Sequence, residues 1–434
     1  MNCLTIYEFD ALTTVEMSVS GTNGIHIVPT PVFDWLRDQC LRIADDGNAQ
    51  WLRWTQRRGH HVIQVTSFVG VIHAPDGFQI EVLPKIGKAI VGGTIEVRQL
   101  LIDMLCSLKE FRHVKTNNAK LCAARMPLPE IFISEFLHEV EYIIKRGVRS
   151  DYLRQQGNLL TLRGKLLVSS HLQQNLFRAD RFFAEYDEFT NDRPENRLIR
   201  TALRKVLFLT KMPTNQRLAR ELDFVFSDIS ASTQIQADIK KIRLDRGMSH
   251  YVQALAWARL ILNEESPLTG SGQHHAPSLL FPMEAVFEAY VEKHLSLQLE
   301  KGFVLKAQAR NQHLVQHNNQ KWFLLKPDLL VQLKGDTHLV LDTKWKLLDS
   351  SKKNGREKYQ LSQADFYQLY AYGHHYLNGT GDIVLIYPKT DNFNIPLEVF
   401  EFPKTENMKL WVLPFCLKTQ KLLVPHSTLL EKYF

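Results

Sequence analysis

Two apolar runs, Phe323 to Leu333 and His338 to Leu347, flank Lys334-Gly335-Asp336-Thr337. The spacing predicts an antiparallel hairpin whose register decides whether two carboxylates meet. Asp328 follows Lys326-Pro327 in the first run, and Asp342 and Lys344 stand two apart in the second. Residues two apart on a strand share a face, so Lys344 projects beside Asp342. Leu339, Leu341 and Trp345 take the other face, and the expected sheet packs on a core there while its charged face lines a cleft. A plain two- or four-residue loop places Asp328 opposite Thr343 and turns it away from Asp342. Convergence therefore requires an odd loop, such as Gly335-Asp336-Thr337, or a bulge near Pro327, which cannot donate to a ladder.

Two carboxylates beside a lysine suit phosphodiester hydrolysis. A hard divalent cation offsets charge on the non-bridging oxygen and lowers the pKa of an attacking water, and Mg2+ takes oxygen ligands in near-octahedral geometry. The expectation is that Asp328 and Asp342 bind Mg2+ or Mn2+, helped by the Thr343 carbonyl, and that Lys344 orients or activates the water. Pro75-Asp76 and Asp238-Ile239-Lys240 carry fragments of the same pattern, but only residues 328 to 344 set both halves close together on strand-like runs. The competing reading is a surface hairpin with an exposed ion pair of little energetic worth.

The flanking segments extend the pattern. Gln363 to Tyr376 reads as a helix with Gln368 and Tyr372 four apart on one face. Pro282 to Leu299 reads as a helix with proline in its first turn, an apolar stripe of Val286, Tyr290, Val291 and Leu295, and carboxylates at Glu284, Glu288 and Glu292. The order helix, Asp328 strand, Asp342 strand, Gln368 helix, strand Ile383 to Tyr387 resembles the PD-(D/E)xK nuclease fold, in the RecB-like branch that carries a Gln-x-x-x-Tyr helix. That resemblance implies Gln368 and Tyr372 near the substrate strand, and an upstream glutamate in the metal shell, Glu288 in preference to Glu284. A solvated glutamate face with core aromatics is the alternative.

At 434 residues the chain is expected to form two or three domains, and its 44% hydrophobic content suffices for real cores. The formal net charge of +7 suits a polyanionic partner. Cys3, Cys40, Cys106, Cys122 and Cys416 form neither a Cys-x-x-Cys zinc pattern nor a disulfide framework, which fits a reduced cytoplasm. No basic and apolar leader and no run of ~20 apolar residues is visible, so no membrane association is expected. The pairs His60-His61, His274-His275 and His374-His375 lack partners at ligand spacing and read as exposed or packing residues.

The expected fold class is α+β multidomain: a β-rich amino-terminal domain with a helical insertion (1–95), a mainly helical middle region (96–262), a linker (263–277) and an α/β nuclease domain (278–434). The middle region is read from helices Glu135 to Arg146, stopped by Gly147, Pro194 to Leu209, and Ser249 to Leu262. At the front, a helix from Pro31, capped by Thr30, shows Phe33, Leu36, Cys40 and Ile43 on one face and ends near Asp45-Asp46-Gly47. Val62 to His73 and Phe78 to Leu83 form a hairpin around Pro75-Asp76-Gly77. Between them Trp51, Arg53, Trp54, Arg57 and Arg58 read as a helix with an aromatic and basic partner-binding face, the alternative being buried tryptophans beside solvated arginines.

Val69-Gly70-Val71-Ile72, Pro75-Asp76-Gly77, Ile80-Glu81-Val82-Leu83-Pro84-Lys85-Ile86, Leu162-Arg163-Gly164-Lys165-Leu166, Tyr186-Asp187-Glu188 and Glu195-Asn196-Arg197, with Phe287-Glu288 and the Asp328, Asp342, Lys344 set, resemble the McrC proteins over most of the chain. The resemblance implies the nuclease subunit of a GTP-dependent, methylcytosine-dependent restriction system. It implies an amino-terminal part that engages and stimulates an McrB-like AAA+ GTPase hexamer, and a carboxy-terminal domain that cuts methylated DNA. GTP would enter only through that partner. Gly157 to Gly164-Lys165-Leu166 has the wrong spacing for a phosphate-cradling loop, and leucine where the Mg2+-binding hydroxyl belongs; Leu162 to Leu166 reads as a structural turn. Two rivals stand beside this reading: an autonomous RecB-like repair nuclease, which cuts without GTP or partner, and a non-catalytic activator, which stimulates GTP hydrolysis without cutting.

Overall fold

Three parallel strands, Asp336–Thr343, Gly381–Pro388 and Met408–Cys416, form the middle of a mixed sheet in the computed structural model. Residues 3–14, 24–45, 50–57, 59–74, 77–89, 93–108, 126–263, 278–405 and 407–434 are described. Pro75-Asp76, Asp46-Gly47, Arg58, Cys122, His274-His275 and all of the expected linker except Asn263 lie outside the described residues. The protein is a mixed α/β, multidomain chain. Its contacts divide it into one unit of Met1–Arg125, Ser266–His274 and Leu280–Phe434, and a second of Met126–Glu265 and His275–Leu279. Among the described residues no helix is long and apolar enough to cross a membrane.

In the first unit the sheet runs Phe303–Ala307, Leu329–Leu333, Asp336–Thr343, Gly381–Pro388, Met408–Cys416, Phe400–Glu401, with Lys421–Leu422 added to Met408–Cys416. The helix Gln363–Leu377 lays Leu369, Tyr372 and Tyr376 on Val340, Ile383 and Leu385. Gly373 permits this approach, since a Cβ there would lie 2.3 Å from the Met408 sulfur. Leu339, Val340 and Leu341 are all fully buried, which corrects the expectation of a one-sided sheet. Val340 shares the Asp342 face, so that face is covered by a helix. Asp342 and the partly exposed Lys344 lie at the carboxyl end of the parallel strands, the usual place for a ligand crevice in a parallel sheet.

The hairpin resolves its parity by a bulge, not by an odd loop, and the bulge is not near Pro327. Lys334 and Gly335, both at positive φ (+52° and +100°), make a two-residue turn that pairs Leu333 with Asp336. The ladder pairs Gln332 with Thr337 but Val331 with Leu339, leaving His338 as the extra residue. Leu329 then pairs with Leu341, and the next step along both strands brings Asp328 to Asp342.

The amino-terminal part of this unit has strands Cys3–Tyr7, Gln79–Leu83 and Phe68–His73 in one sheet, and Ile25–Ile27, Ala11–Thr13, His60–Val65 and Leu52–Arg57 in another. The expected strand Val62 to His73 is two strands, broken at Thr66-Ser67. Helix Thr30–Asp45 buries Val32, Phe33, Leu36 and Cys40. Leu52–Arg57 is a strand, which corrects the helix expected over Trp51 to Arg58: it pairs in register with His60–Val65 across the turn at Gly59, φ +83°. Trp51 is buried, Trp54 stands partly exposed over His61, and Arg53 is exposed. Glu81 is fully buried and receives both Arg98 Nε and Nη2 at 2.7 Å, tying helix Gly93–Leu105 to strand Gln79–Leu83.

The second unit holds helices Leu128–Arg146, Pro194–Leu209, Pro213–Val225, Ile235–Lys241 and Val252–Asn263. Pro194 and Pro213 occupy first turns, where a missing N–H costs nothing. Between Asp151 and Thr190 the expected helical character gives way to an antiparallel sheet of Asp151–Leu159, Phe182–Thr190 and Lys165–Leu166. Buried Asn196 ties the unit together, donating to Arg149 O and Asn191 O and accepting from Tyr251 Oη. Gly164 has φ +76°, and a Cβ on it would lie 2.2 Å from Glu185 O, while Arg163 stacks on Tyr186 at 5.0 Å and donates to Asp187 O. Gly164→Ala is therefore expected to lower stability by at least about 1–2 kcal/mol for the left-handed backbone alone, read as a lower urea midpoint at unchanged m-value. An unchanged midpoint would refute that account of the turn.

Candidate active site at the strand ends

Asp328 precedes its strand directly, and its position is fixed from both sides. Its Oδ2 accepts from Thr343 N (2.7 Å) and Thr343 Oγ1 (2.8 Å), and its carbonyl accepts from Gln308 N (2.7 Å). Upstream, Tyr372 Oη donates to Lys326 O at 2.9 Å and itself receives Gln368 Nε2 at 2.7 Å, while Tyr376 Oη donates to Leu325 O. The Gln-x-x-x-Tyr helix thus clamps the backbone leading into Asp328. Tyr372 is buried, whereas Gln368 is exposed beside it. Burial pushes the Tyr372 hydroxyl up to about 12, so it remains a neutral donor.

Asp342 is 1% exposed, and Lys344 Nζ lies 2.5 Å from its Oδ2. That oxygen has no aligned hydrogen-bond donor, so the contact is charge pairing that leaves lone-pair density uncommitted. Lys344 N donates to Ile386 O, continuing the parallel ladder one residue past the strand. Burial, then the Asp328 charge, pushes Asp342 up to about 7, with Lys344 pulling the other way. Burial also raises Asp328 above the ordinary carboxylate range, opposed by the Thr343 bonds and Lys344. Burial disfavours charge on Lys344, yet Asp342 and Asp328 outweigh it and hold the ammonium above its usual pKa.

Glu288 and Glu284 separate clearly. Glu288 receives Gln308 Nε2 at 3.0 Å, and burial followed by the Asp328 charge pushes it up to about 7. Glu284 instead acts on Glu8 and Lys85. The site therefore combines three carboxylates with one lysine, a set that favours a divalent cation. Among the described residues no three His, Cys, Asp or Glu side chains stand preassembled around a metal position. The residues that could hold such an ion directly are Asp328 and Asp342, with Glu288 beside them. Two carboxylates fit Mg2+, which keeps several waters and takes substrate phosphate as further ligands.

Sequence reasoning missed Gln308, which at φ +45° joins the Asp328 backbone to Glu288. A lone glutamine at a strand end belongs to no motif. It also missed Glu8, fully buried, which accepts from Trp345 Nε1 (3.0 Å) and Lys85 N (2.8 Å), while Lys85 Nζ donates to Trp345 O (2.9 Å). Only the Ile80 to Ile86 segment pointed towards this cluster. Burial, only partly offset by Lys85, pushes Glu8 from 4.5 up to about 7. The folded state thus binds the Glu8 proton more tightly than the unfolded chain, and this group's contribution to stability falls as pH rises from about 4.5 to about 7. Glu8→Gln is expected to flatten that part of the pH–stability profile in urea titrations, and parallel profiles would refute it.

The chain matches the profile of the McrBC 5-methylcytosine restriction system component family over residues 63–388. No curated protein matches it. Among solved structures it is similar to a chain in the half-complex of the tetradecameric assembly of Thermococcus gammatolerans McrB AAA+ hexamers with bound McrC. The identity is 19% and the TM-score 0.67, covering 95% of this chain and 94% of that one. A chain of the Thermococcus gammatolerans McrBC complex matches at 20% identity and TM-score 0.49, covering 68% of this chain and 87% of that one.

Proposed function

Because the chain belongs to the family of McrBC 5-methylcytosine restriction system components, as its resemblance to McrC implied, we propose that it is the DNA-cutting subunit of a GTP-dependent, methylcytosine-directed restriction complex in the cytoplasm. The observation that carries this reading is the bulged hairpin, which brings Asp328 to Asp342 with Lys344 Nζ 2.5 Å from the latter. This is the side-chain set of a PD-(D/E)xK endonuclease. Asp328 and Asp342 would hold Mg2+, Mn2+ being able to replace it, with Glu288 in support; the ion supplies charge neutralisation and a water of lowered pKa.

The chain's own residues do the positioning. Thr343 fixes one oxygen of Asp328 and leaves the other free. Lys344 balances Asp342 and orients the attacking water. Tyr372 holds the Lys326 carbonyl, and exposed Gln368 faces the substrate strand. The partner is an McrB-like AAA+ GTPase hexamer, as in the assembly that supplies the structural match, and GTP acts only there. Arg53, Trp54 and Arg57 are the candidates for contact with that ring, whereas Trp51 serves the core.

The test is cleavage of methylated and unmethylated plasmid with Mg2+, by this chain alone and with the AAA+ partner and GTP. Cutting of methylated DNA only in the complete mixture supports the proposal. Cutting by the chain alone would indicate an autonomous repair nuclease, and stimulated GTP hydrolysis without cutting a non-catalytic activator.

A further inference from the structure

Immediately before Lys326-Pro327-Asp328, the strands Gln312–His317 and Gln320–Leu325 pair with each other as a separate two-stranded ribbon. Every residue from Leu314 to Leu324 is exposed, on both faces. A bare two-stranded ribbon is marginal in water, yet this one shows Leu314, Val315, Trp322 (43%), Phe323 (68%) and Leu324 to solvent. Its backbone is shaped for that display. Asn318 and Asn319, both at positive φ, make the two-residue turn. Phe323 has φ +58°, rare for an aromatic residue, and the ladder pairs Val315 with Trp322 and His313 with Leu324 while skipping Leu314 and Phe323.

Charge identifies what covers it. Between Glu300 and Asp328 the sequence has no acidic residue, but has Lys301, Lys306, Arg310, Lys321 and Lys326. Such an all-basic stretch with outward aromatics suits a polyanion bearing apolar edges. The ribbon is also fixed relative to the candidate site, because Tyr376 and Tyr372 grip the Leu325 and Lys326 carbonyls at its base. A two-stranded ribbon fits the ~12 Å major groove of B-form DNA, and six-residue strands reach roughly 20 Å.

We infer that this ribbon is a DNA-reading arm: it lies in the major groove of the duplex flanking the scissile phosphate, with Lys321 on the backbone and Trp322 and Phe323 against base edges. The inference deepens the nuclease reading and rests on it for the position of the cut.

The test uses the full chain carrying Asp342→Ala, so that the DNA probe stays intact, and follows binding of a labelled duplex by fluorescence anisotropy across a salt series. Adding Trp322→Ala and Phe323→Ala is expected to weaken binding at least tenfold. Lys321→Ala should lower the salt slope by about one, the signature of one lost phosphate contact. A-form RNA duplex, whose major groove is too narrow for side-chain reading, should bind weakly and be indifferent to the aromatic changes. Unchanged DNA affinity and slope would overturn the inference, as would equal loss on RNA. So would intact DNA binding with lost self-association or lost assembly with the GTPase, which would make the ribbon a protein interface. Anisotropy does not depend on cutting, so cleavage that survives Asp342→Ala in an otherwise wild-type chain would remove the nuclease reading separately.

Discussion

Asp342→Ala should abolish DNA cleavage while leaving association with the GTPase partner and stimulation of GTP hydrolysis intact. The expected loss is at least about a thousandfold, because on the proposed reading one side chain would supply a metal ligand besides the counter-charge of Lys344. The substitution has a defined structural cost. Asp342 is buried beside Asp328, whose charge helps push it up to about 7, so truncation removes a like-charge conflict as well as an ion pair. The strand itself is held by Leu339, Val340 and Leu341 in the core, none of which touches the chemistry. The measurement is plasmid cleavage in parallel with GTP turnover in the same mixture. Loss of both activities would mean that the fold had failed, and retained cleavage would remove Asp342 from the mechanism.

How much of this was legible in the sequence depended on whether a feature has a local cause. Helix Pro194–Leu209 has the limits the sequence predicts, because proline in the first turn is a local signal. The hairpin was legible as a constraint: its spacing showed that something must break the regular register. Which residue the ladder skips was not legible, because His338 is singled out only when the two-residue turn and the parallel pairing to Gly381–Pro388 act together. The sheet over Asp151 to Thr190 is not legible because its strands are mostly exposed or half-buried and bury no alternating stripe, so there is no period of two to find. Leu52–Arg57 was misread because Trp51, Trp54 and Arg58 fit a helical period equally well, and only pairing with His60–Val65 decides between the two.

The segments resembling McrC divide in the same way. Glu81, Gly164 and Asn196 are placed by packing: a buried ion pair, a close backbone approach and a carbonyl clamp. Their place in the resemblance is explained by the fold. Asp328, Asp342 and Lys344 differ in that two buried carboxylates share one lysine and burial raises both above the ordinary carboxylate range; apolar or neutral residues there would serve stability better. That contrast is the physical argument for placing function at the strand ends.

Lys344 offers the sharper test, because its two roles predict opposite effects on two measurements. Its ammonium pairs with Asp342 Oδ2, the oxygen that would bind the metal, so lysine and ion compete for one carboxylate. Lys344→Ala should therefore lower the Mg2+ concentration for half-maximal activity. The turnover rate itself should fall by about 10²–10³-fold, as expected when one charged group stops stabilising a developing charge. Lys344→Arg should not restore the rate, because the planar guanidinium cannot take the compact position of the ammonium between Asp342 and the water. Measuring cleavage rate against Mg2+ for all three proteins separates the cases. A fall in rate with a raised Mg2+ requirement would mean that Lys344 organises the carboxylates instead of acting on the water, and full activity in the arginine variant would reduce its role to charge alone.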